Sequence, residues 1–457
     1  MATSAELKQN ILNGGYDQAF AKLYGADTAT VAAQRVRYVD MIDHFEENFG
    51  TGRTVCLYSA PGRTEIGGNH TDHNNGVVIA AAVNLDIIAV VAKNDENVVR
   101  VISHGFGKID DVNLRDLTPQ PVEAEHSASL IRGVAAGIVK DGGKVGGFDC
   151  YTTSDVLGGS GLSSSAAFEV CMGAIFRGEY NDNDMKRFDQ VKNAMISQYA
   201  ENVFFGKPCG LMDQTACAVG KVITIDFKEV GHPVVREVPF DLAAKGFALC
   251  ISDTKGSHAD LTDDYAAVRR EMESVAEFFG KKVLRDVDEE TFLKAIPEVR
   301  KVTGDRAVVR AIHFYNDSRR AGEIYEAIKA DDFDRFLQLC FPTFLLQPPF
   351  PAFPSVSRLV LDFQKHQKLQ LPIRLFLGVR RMLVCKDLAN NFIQTADIFI
   401  HSGIITVHHR LPQKQVVIPR CALHDHNPLR IQKRRKGDDH ILAHSNGRVT
   451  VFHIFNN

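Results

Sequence analysis

Three short stretches of this chain hold residue types able to do chemistry on hydroxyl and phosphate groups. The first, APGRTEIGGNHTDHNNG (60–76), places Arg63, Glu65, Asn69, His70, Asp72 and His73 between glycines, just after a strand-like run. Short polar side chains on a Gly-rich loop suit a polyhydroxyl compound, which needs several donors and acceptors converging at fixed angles. A hydrogen-bonded turn is the plainer reading. His70, Asp72 and His73 are also metal-ligand types, but no HExxH spacing or distant third ligand accompanies them. The second stretch, LGGSGLSSSAA (157–167), runs into a helical pattern. Its glycines let a backbone approach a phosphate chain, and the helix start offers unpaired N–H groups and a positive dipole end. Ser hydroxyls can donate to phosphate or coordinate Mg²⁺. Without a Gly-Lys-Ser/Thr ending it is not a Walker A loop, and serines before a helix often only cap it. The third joins Glu201 to GKPCGLMDQ (206–214). Glu201 and Asp213 are carboxylates that could serve as metal ligand and base, or lie on the surface as plain charges.

The elements that must carry these stretches alternate. Strands are expected at Val55–Ser59, Val77–Val83, Ile87–Lys93, Val98–Ser103, Gly147–Thr153, Val222–Phe227 and Phe247–Ser252, where Val and Ile runs end in polar turns. Helical rhythm marks Val31–Phe49, Ala166–Phe176, Met185–Phe205, Leu261–Gly280 and Ala307–Ala330. The mixture predicts an α+β fold in two parts with a boundary near residue 230.

Length and composition set outer limits. A chain of 457 residues, 45% apolar and 24% charged, is long enough for two or three domains. Its net charge of −3 gives no global positive field to recruit nucleic acid. MATSAELKQN has no apolar core for a secretory signal, and Val77–Ala92 is too short to span a bilayer. Nine cysteines without a CxxC pair read as reduced thiols of a cytoplasmic protein.

Beyond Cys340 the composition changes. Residues 341–457 hold 16 Lys/Arg, six Asp and no Glu, a net of +10, against −13 for the preceding 340 residues. At roughly 6% usage about seven Glu would be expected there. Lys433-Arg434-Arg435-Lys436 reads as solvated charge rather than a nucleic-acid contact. An appended basic domain, a divergent end of the same fold, and a frameshifted or foreign segment all fit these counts.

Together and in this order, the three stretches resemble the GHMP kinase superfamily and, within it, galactokinases. The family patterns PGRxNxIGEHxDYxxG, GxGLSSSA and CGxMDQ return here as PGR…GGNHTDHNNG, GSGLSSSAA and CGLMDQ. The resemblance covers residues 20–340. It implies a two-domain GHMP-kinase-like fold with the active site between domains: an N-terminal domain at 1–230, the start of the second at 231–340, and the anomalous segment 341–457. The implied reaction transfers the ATP γ-phosphoryl group to the anomeric hydroxyl of galactose.

By the same resemblance, Asp213 is general base or orienting acceptor, with Arg63 beside it. Gly159, Ser160, Gly161, Leu162, Ser163, Ser164 and Ser165 wrap the ATP phosphates, and Ser165 and Glu201 hold Mg²⁺. Asn69, His70, Asp72, Gly210 and Tyr265 contact the sugar. A small-molecule sugar partner, a monomer, and no membrane or nucleic-acid partner are expected. Another GHMP sugar kinase and a non-catalytic sugar- and ATP-binding regulator are the alternatives. This chain departs from the family where Glu65, Asn69 and His73 replace Asn, Glu and Tyr. It also lacks a GGGFGG-like third motif at 370–410.

Overall fold

The computed structural model describes residues 2–106, 109–156, 158, 161–229, 231–251 and 262–345, with seven short strands between 375 and 453. Gly159, Ser160, the Tyr265 side chain and most of the anomalous segment lie outside the described residues. Residues 1–240 and 257–340 form one compact unit, and residues 241–256 and 341–457 another.

In the first unit a two-residue strand β1 (Ala2–Thr3) leads into helices α1 (Ser4–Leu12), α2 (Asp17–Tyr24) and α3 (Thr28–Phe49). Thr3 and Glu6 cap α1 reciprocally, and Asp27 caps α3 by accepting from Thr30 N. The apolar faces of these helices, with Leu7, Ile11, Phe20, Met41, Ile42 and Phe45, pack on Ile88, Val90 and Ala92.

The sheet beneath contains β1 with β2 (Thr54–Gly67), β3 (Val77–Lys93), β4 (Val98–Ser103), β5 (Ile109–Asn113), β6 (Phe148–Ser154), β7 (Val222–Asp226) and β8 (Val234–Glu237). Its order is β1-β2-β3-β6-β4-β5, with β7 on β3 and β8 on β7; only the β4–β6 pairing is parallel. The sequence reading splits Val77–Lys93 into two strands, whereas the structure keeps one of 17 residues. It changes partner midway, from β7 at Val77–Ala81 to β6 at Ile87–Lys93, while β2 runs along its other edge. Asp86 does not end it, because the buried carboxylate accepts from Tyr24 Oη (2.6 Å), Ser59 Oγ (2.5 Å) and Arg37 Nη1 (2.7 Å).

Further helices are α4 (Ser127–Lys140), α5 (Ser164–Tyr180), α6 (Gln190–Tyr199) and α7 (Met212–Val219). The helix expected over Met185–Phe205 resolves into α6 and a π-helical turn, Ala200–Phe205, closed by Gly206 at φ 87°. Then follow β9 (Phe247–Ile251), α8 (Thr262–Phe278), α9 (Glu289–Thr303), α10 (Asp305–Lys329) and α11 (Phe333–Leu345). Met272, Val275, Leu284, Phe292, Val299, Ala311 and Phe314 give α8–α10 a core of their own.

Helix α10 also packs on β2 and β3. The approach requires glycine, since an added Cβ would lie 2.7 Å from Ile324 Cδ1 at Gly67 and 2.6 Å from Ser318 Oγ at Gly76. In the second unit β9 pairs with Met382–Lys386, which pairs with Leu375–Leu377. None of the described helices is long and apolar enough to cross a membrane.

Candidate functional site

β2 brings Arg63 into the middle of the site. Its register against β3 slips at Pro61/Arg63 and again at Glu65/Gly67, so Arg63 sits between two irregularities that re-aim the strand. The Arg63 N–H donates to the Leu162 carbonyl (3.1 Å), joining β2 to the Gly/Ser turn. An added Cβ on Gly62 would stand 2.9 Å from that same oxygen. The buried guanidinium then works on two sides. Nε donates to Asp213 Oδ1 (2.8 Å), with Nη2 at 2.8 Å from the same atom, and Nη1 donates to the Gly161 carbonyl (2.7 Å).

Asp213 stands in the first turn of α7, where a carboxylate meets the positive helix end. Its other oxygen, Oδ2, accepts from Ser163 Oγ (2.6 Å). Ser163, the residue before α5, takes a left-handed conformation (φ 60°, ψ 56°) that an L residue adopts at some cost, and its hydroxyl goes to Asp213 rather than capping the helix. Burial pushes the Asp213 carboxyl up, but the charges of Arg63 and His70 and the Ser163 hydrogen bond outweigh it and hold the group below the usual carboxylate range. Asp213 is an anion with one oxygen on an arginine and the other on a hydroxyl. Its side chain keeps 29% exposure, enough to meet an incoming group.

A second carboxylate cluster lies behind it. Glu201, buried in the π-helical turn, accepts from Ser165 Oγ (3.1 Å) and Lys207 Nζ (3.1 Å) on Oε1 and from Gln214 Nε2 (2.7 Å) on Oε2. The same Gln214 amide reaches Glu169 Oε2 at 3.2 Å. Glu169 has no solvent exposure; burial first, then the Glu201 charge, drive its carboxyl well above the usual range. Glu169 Oε1 and Gln214 Oε1 lack hydrogen-bond partners.

In the polar loop, Asp72 is buried and turned toward α7, where Oδ2 accepts from Met212 N (3.1 Å). It takes the space a side chain at position 210 would need: an added Cβ on Gly210 would sit 1.8 Å from Asp72 Oδ2. His70 is exposed; its N–H donates to Glu65 Oε1 (2.8 Å), and its Nε2 lies 3.9 Å from Glu65 Oε2. The Asn69 carbonyl accepts from His313 Nε2 (2.9 Å) on α10. His73 is half-buried, and desolvation takes its imidazole down to about 4. Asn74 Oδ1 accepts from Leu284 N (3.0 Å), a second tie from the loop to the helical region.

The structure thus joins Arg63, Gly161, Leu162, Ser163 and Asp213 directly. It joins Ser165 to Glu201, and Asp72 to Gly210 and Met212. The sequence reading gave no role to Glu169, Gln214 or His313. Glu169 had a visible signal, a lone carboxylate in the apolar run Ala166–Phe176. His313 had none, since its partner Asn69 lies 244 residues away.

A model described as the galactokinase galactose-binding signature matches residues 43–93, and one described as the GHMP kinase N-terminal domain matches residues 129–221. A galactokinase of Actinobacillus pleuropneumoniae serotype 5b (strain L20) is 34% identical over 301 residues, 65% of this chain and 74% of its own. A galactokinase of Glaesserella parasuis serovar 5 (strain SH0165) is 32% identical over 295 residues, 64% of this chain and 73% of its own. The crystal structure of Lactococcus lactis galactokinase complexed with galactose shares the fold. Its TM-score is 0.64 at 20% identity, over 77% of this chain and 90% of that one.

Proposed function

Because the chain belongs to the galactokinase family of GHMP kinases, a family of sugar kinases that use ATP, we propose that it phosphorylates galactose at the anomeric hydroxyl, giving galactose 1-phosphate and ADP. The observation that carries this is the Arg63–Asp213–Ser163 arrangement: an anionic acceptor held at both oxygens, with its arginine also bound to the Gly161 carbonyl. Asp213 accepts the hydroxyl proton as the sugar oxygen bonds to the γ-phosphorus and the bond to the ADP oxygen breaks. Arg63 keeps Asp213 ionised and offsets charge on the transferring group. Most of the rate gain comes from holding hydroxyl and phosphoryl in line. The intact pairing of Arg63 with Asp213 favours a catalyst over a purely binding regulator.

Gly159 to Ser165 and the start of α5 would receive the phosphates, and Asn69, His70, Asp72, Gly210 and Tyr265 would line the sugar. The residues at Glu201 fit Mg²⁺. Ser165 Oγ and the Glu201 carboxylate are hard oxygen donors 3.1 Å apart, with the orphaned Gln214 Oε1 on the same network. Among the described residues no group of three or more His, Cys, Asp or Glu is placed to hold a metal, so the ion would complete its shell with water and phosphate oxygens. When bound, Mg²⁺ offsets phosphate charge. Lys207, 56% exposed at its side chain, would swing away from Glu201 to admit it.

Purified full chain with galactose and ATP should release ADP and yield a sugar 1-phosphate visible by phosphorus NMR. Asp213→Asn should lower kcat by roughly 10²–10⁴-fold while galactose still binds. Undiminished turnover in that variant would remove Asp213 from the chemistry.

A further inference from the structure

We infer that His313 is a positioning residue for the sugar, holding the Asn69–His70 main chain as a doubly protonated imidazolium, so that sugar affinity falls as pH rises. This rests on the reading of residues 60–76 as the sugar loop.

The argument is one of donors and acceptors. His313 Nε2 lies 2.9 Å from the Asn69 carbonyl oxygen, and Nδ1 lies 2.6 Å from Asp317 Oδ2. A carbonyl cannot donate, and neither can an ionised carboxylate, so each ring nitrogen must carry its own hydrogen. A neutral imidazole has only one. Asp317 is buried, and its other oxygen, Oδ1, is paired with the Arg320 guanidinium. The charged groups facing the ring are Asp317 on α10, with Arg320 behind it, and Glu65 on β2. Burial acts to discharge the imidazole, but Asp317, the Asn69 carbonyl and Glu65 prevail and raise it above 6.5.

What the ring holds is a stretch that resists its own conformation. Gly68 (φ 92°) and His70 (φ 52°) are left-handed on either side of Asn69, and His70 has a side chain that disfavours this. Two anchors keep it there: Glu65 accepting from His70 N, and His313 donating to Asn69 O. Deprotonation of His313 leaves one hydrogen for two acceptors, and one contact is lost. Asn69 and His70, which face the sugar in this reading, then lose their fixed orientation.

The test is calorimetric titration of galactose into the full chain between pH 6 and 9, for the parent and for His313→Gln, which does not titrate. In parallel, NMR of the histidine rings follows the protonation of His313. The parent Kd should rise roughly tenfold as His313 deprotonates, the scale of a hydrogen bond from a charged donor. His313→Gln should bind galactose more weakly at pH 6, show a flat profile, and keep the parent affinity for ATP. A Gln variant that copies the parent profile, a pH-independent parent, or a neutral His313 ring at pH 6 overturns the inference and leaves the kinase reading intact. A parent that binds no galactose at any pH overturns both. Should the variant fail to fold, the parent profile and the ring NMR decide alone.

Discussion

Asp213 and Glu169 are carboxyl groups of one site driven in opposite directions, and pH separates them. Asp213 is held below its ordinary value of 3.8, so the stability it contributes is complete above that pH and is lost as pH falls through the depressed native value. Asp213→Asn should therefore lower stability by about 2 kcal/mol at pH 7, since it strips a buried arginine of its partner. The gap between variant and parent should close below pH 3.8, as thermal melts across pH would show. Glu169 behaves in reverse. Its native carboxyl is raised well above 4.5, so the unfolded chain releases that proton first and stability falls as pH climbs from 4.5 toward the native value. Glu169→Gln keeps the shape without the proton to lose. It should match the parent at pH 4 and become progressively more stable above it, and melts that stay parallel from pH 4 to 8 would show that Glu169 is charged in the fold.

At the level of elements, the start of α7 shows how tightly loop and helix are matched. Asp72, 140 residues earlier, supplies the acceptor for Met212 N, and only a glycine at 210 leaves room for it. Gly210→Ala should displace that carboxylate, cost about 1–2 kcal/mol in cap strength, and raise the galactose KM more than it lowers kcat. Urea denaturation and steady-state kinetics together would check both parts. This match also marks what the sequence could reveal. The GNHTDH and CGLMDQ stretches named Asp72, Gly210 and Asp213 by type and spacing, and alternating Val and Ile placed most of the strands that carry them. The contacts between stretches were not legible. Nothing local indicates that Asp72 turns to α7, that Ser163 takes a left-handed turn to reach Asp213, or that α10 meets the loop through His313. The break expected between Val83 and Ile87 does not occur, because the network of Arg37, Tyr24 and Ser59 that satisfies Asp86 is assembled only by folding. Helices α1, α2, α4, α7, α9 and α11 went unrecognised because their apolar faces become distinct only against the elements they pack on.

On the scale of the molecule, the matched relatives account for about 65% of the chain, and the basic, Glu-free residues 341–457 carry no GGGFGG-like motif. We propose that 231–340 begins the second family domain and that its continuation is missing in kind, which would leave turnover weak. Replacing residues 341–457 with a family-like end bearing that motif should raise kcat by roughly 10²-fold, the scale on which misplaced groups slow a transfer. No gain in coupled ADP-release assays would remove the motif from the explanation. Within the first unit, a single guanidinium links strand, turn and helix, since Arg63 holds the Gly161 carbonyl with one nitrogen and Asp213 with two others. Under the proposed mechanism, a nucleotide that shifts the turn would also reorient Asp213 through Arg63. Galactose would then bind with or without nucleotide, while the alignment of its hydroxyl with Asp213 would be completed only once the nucleotide is seated.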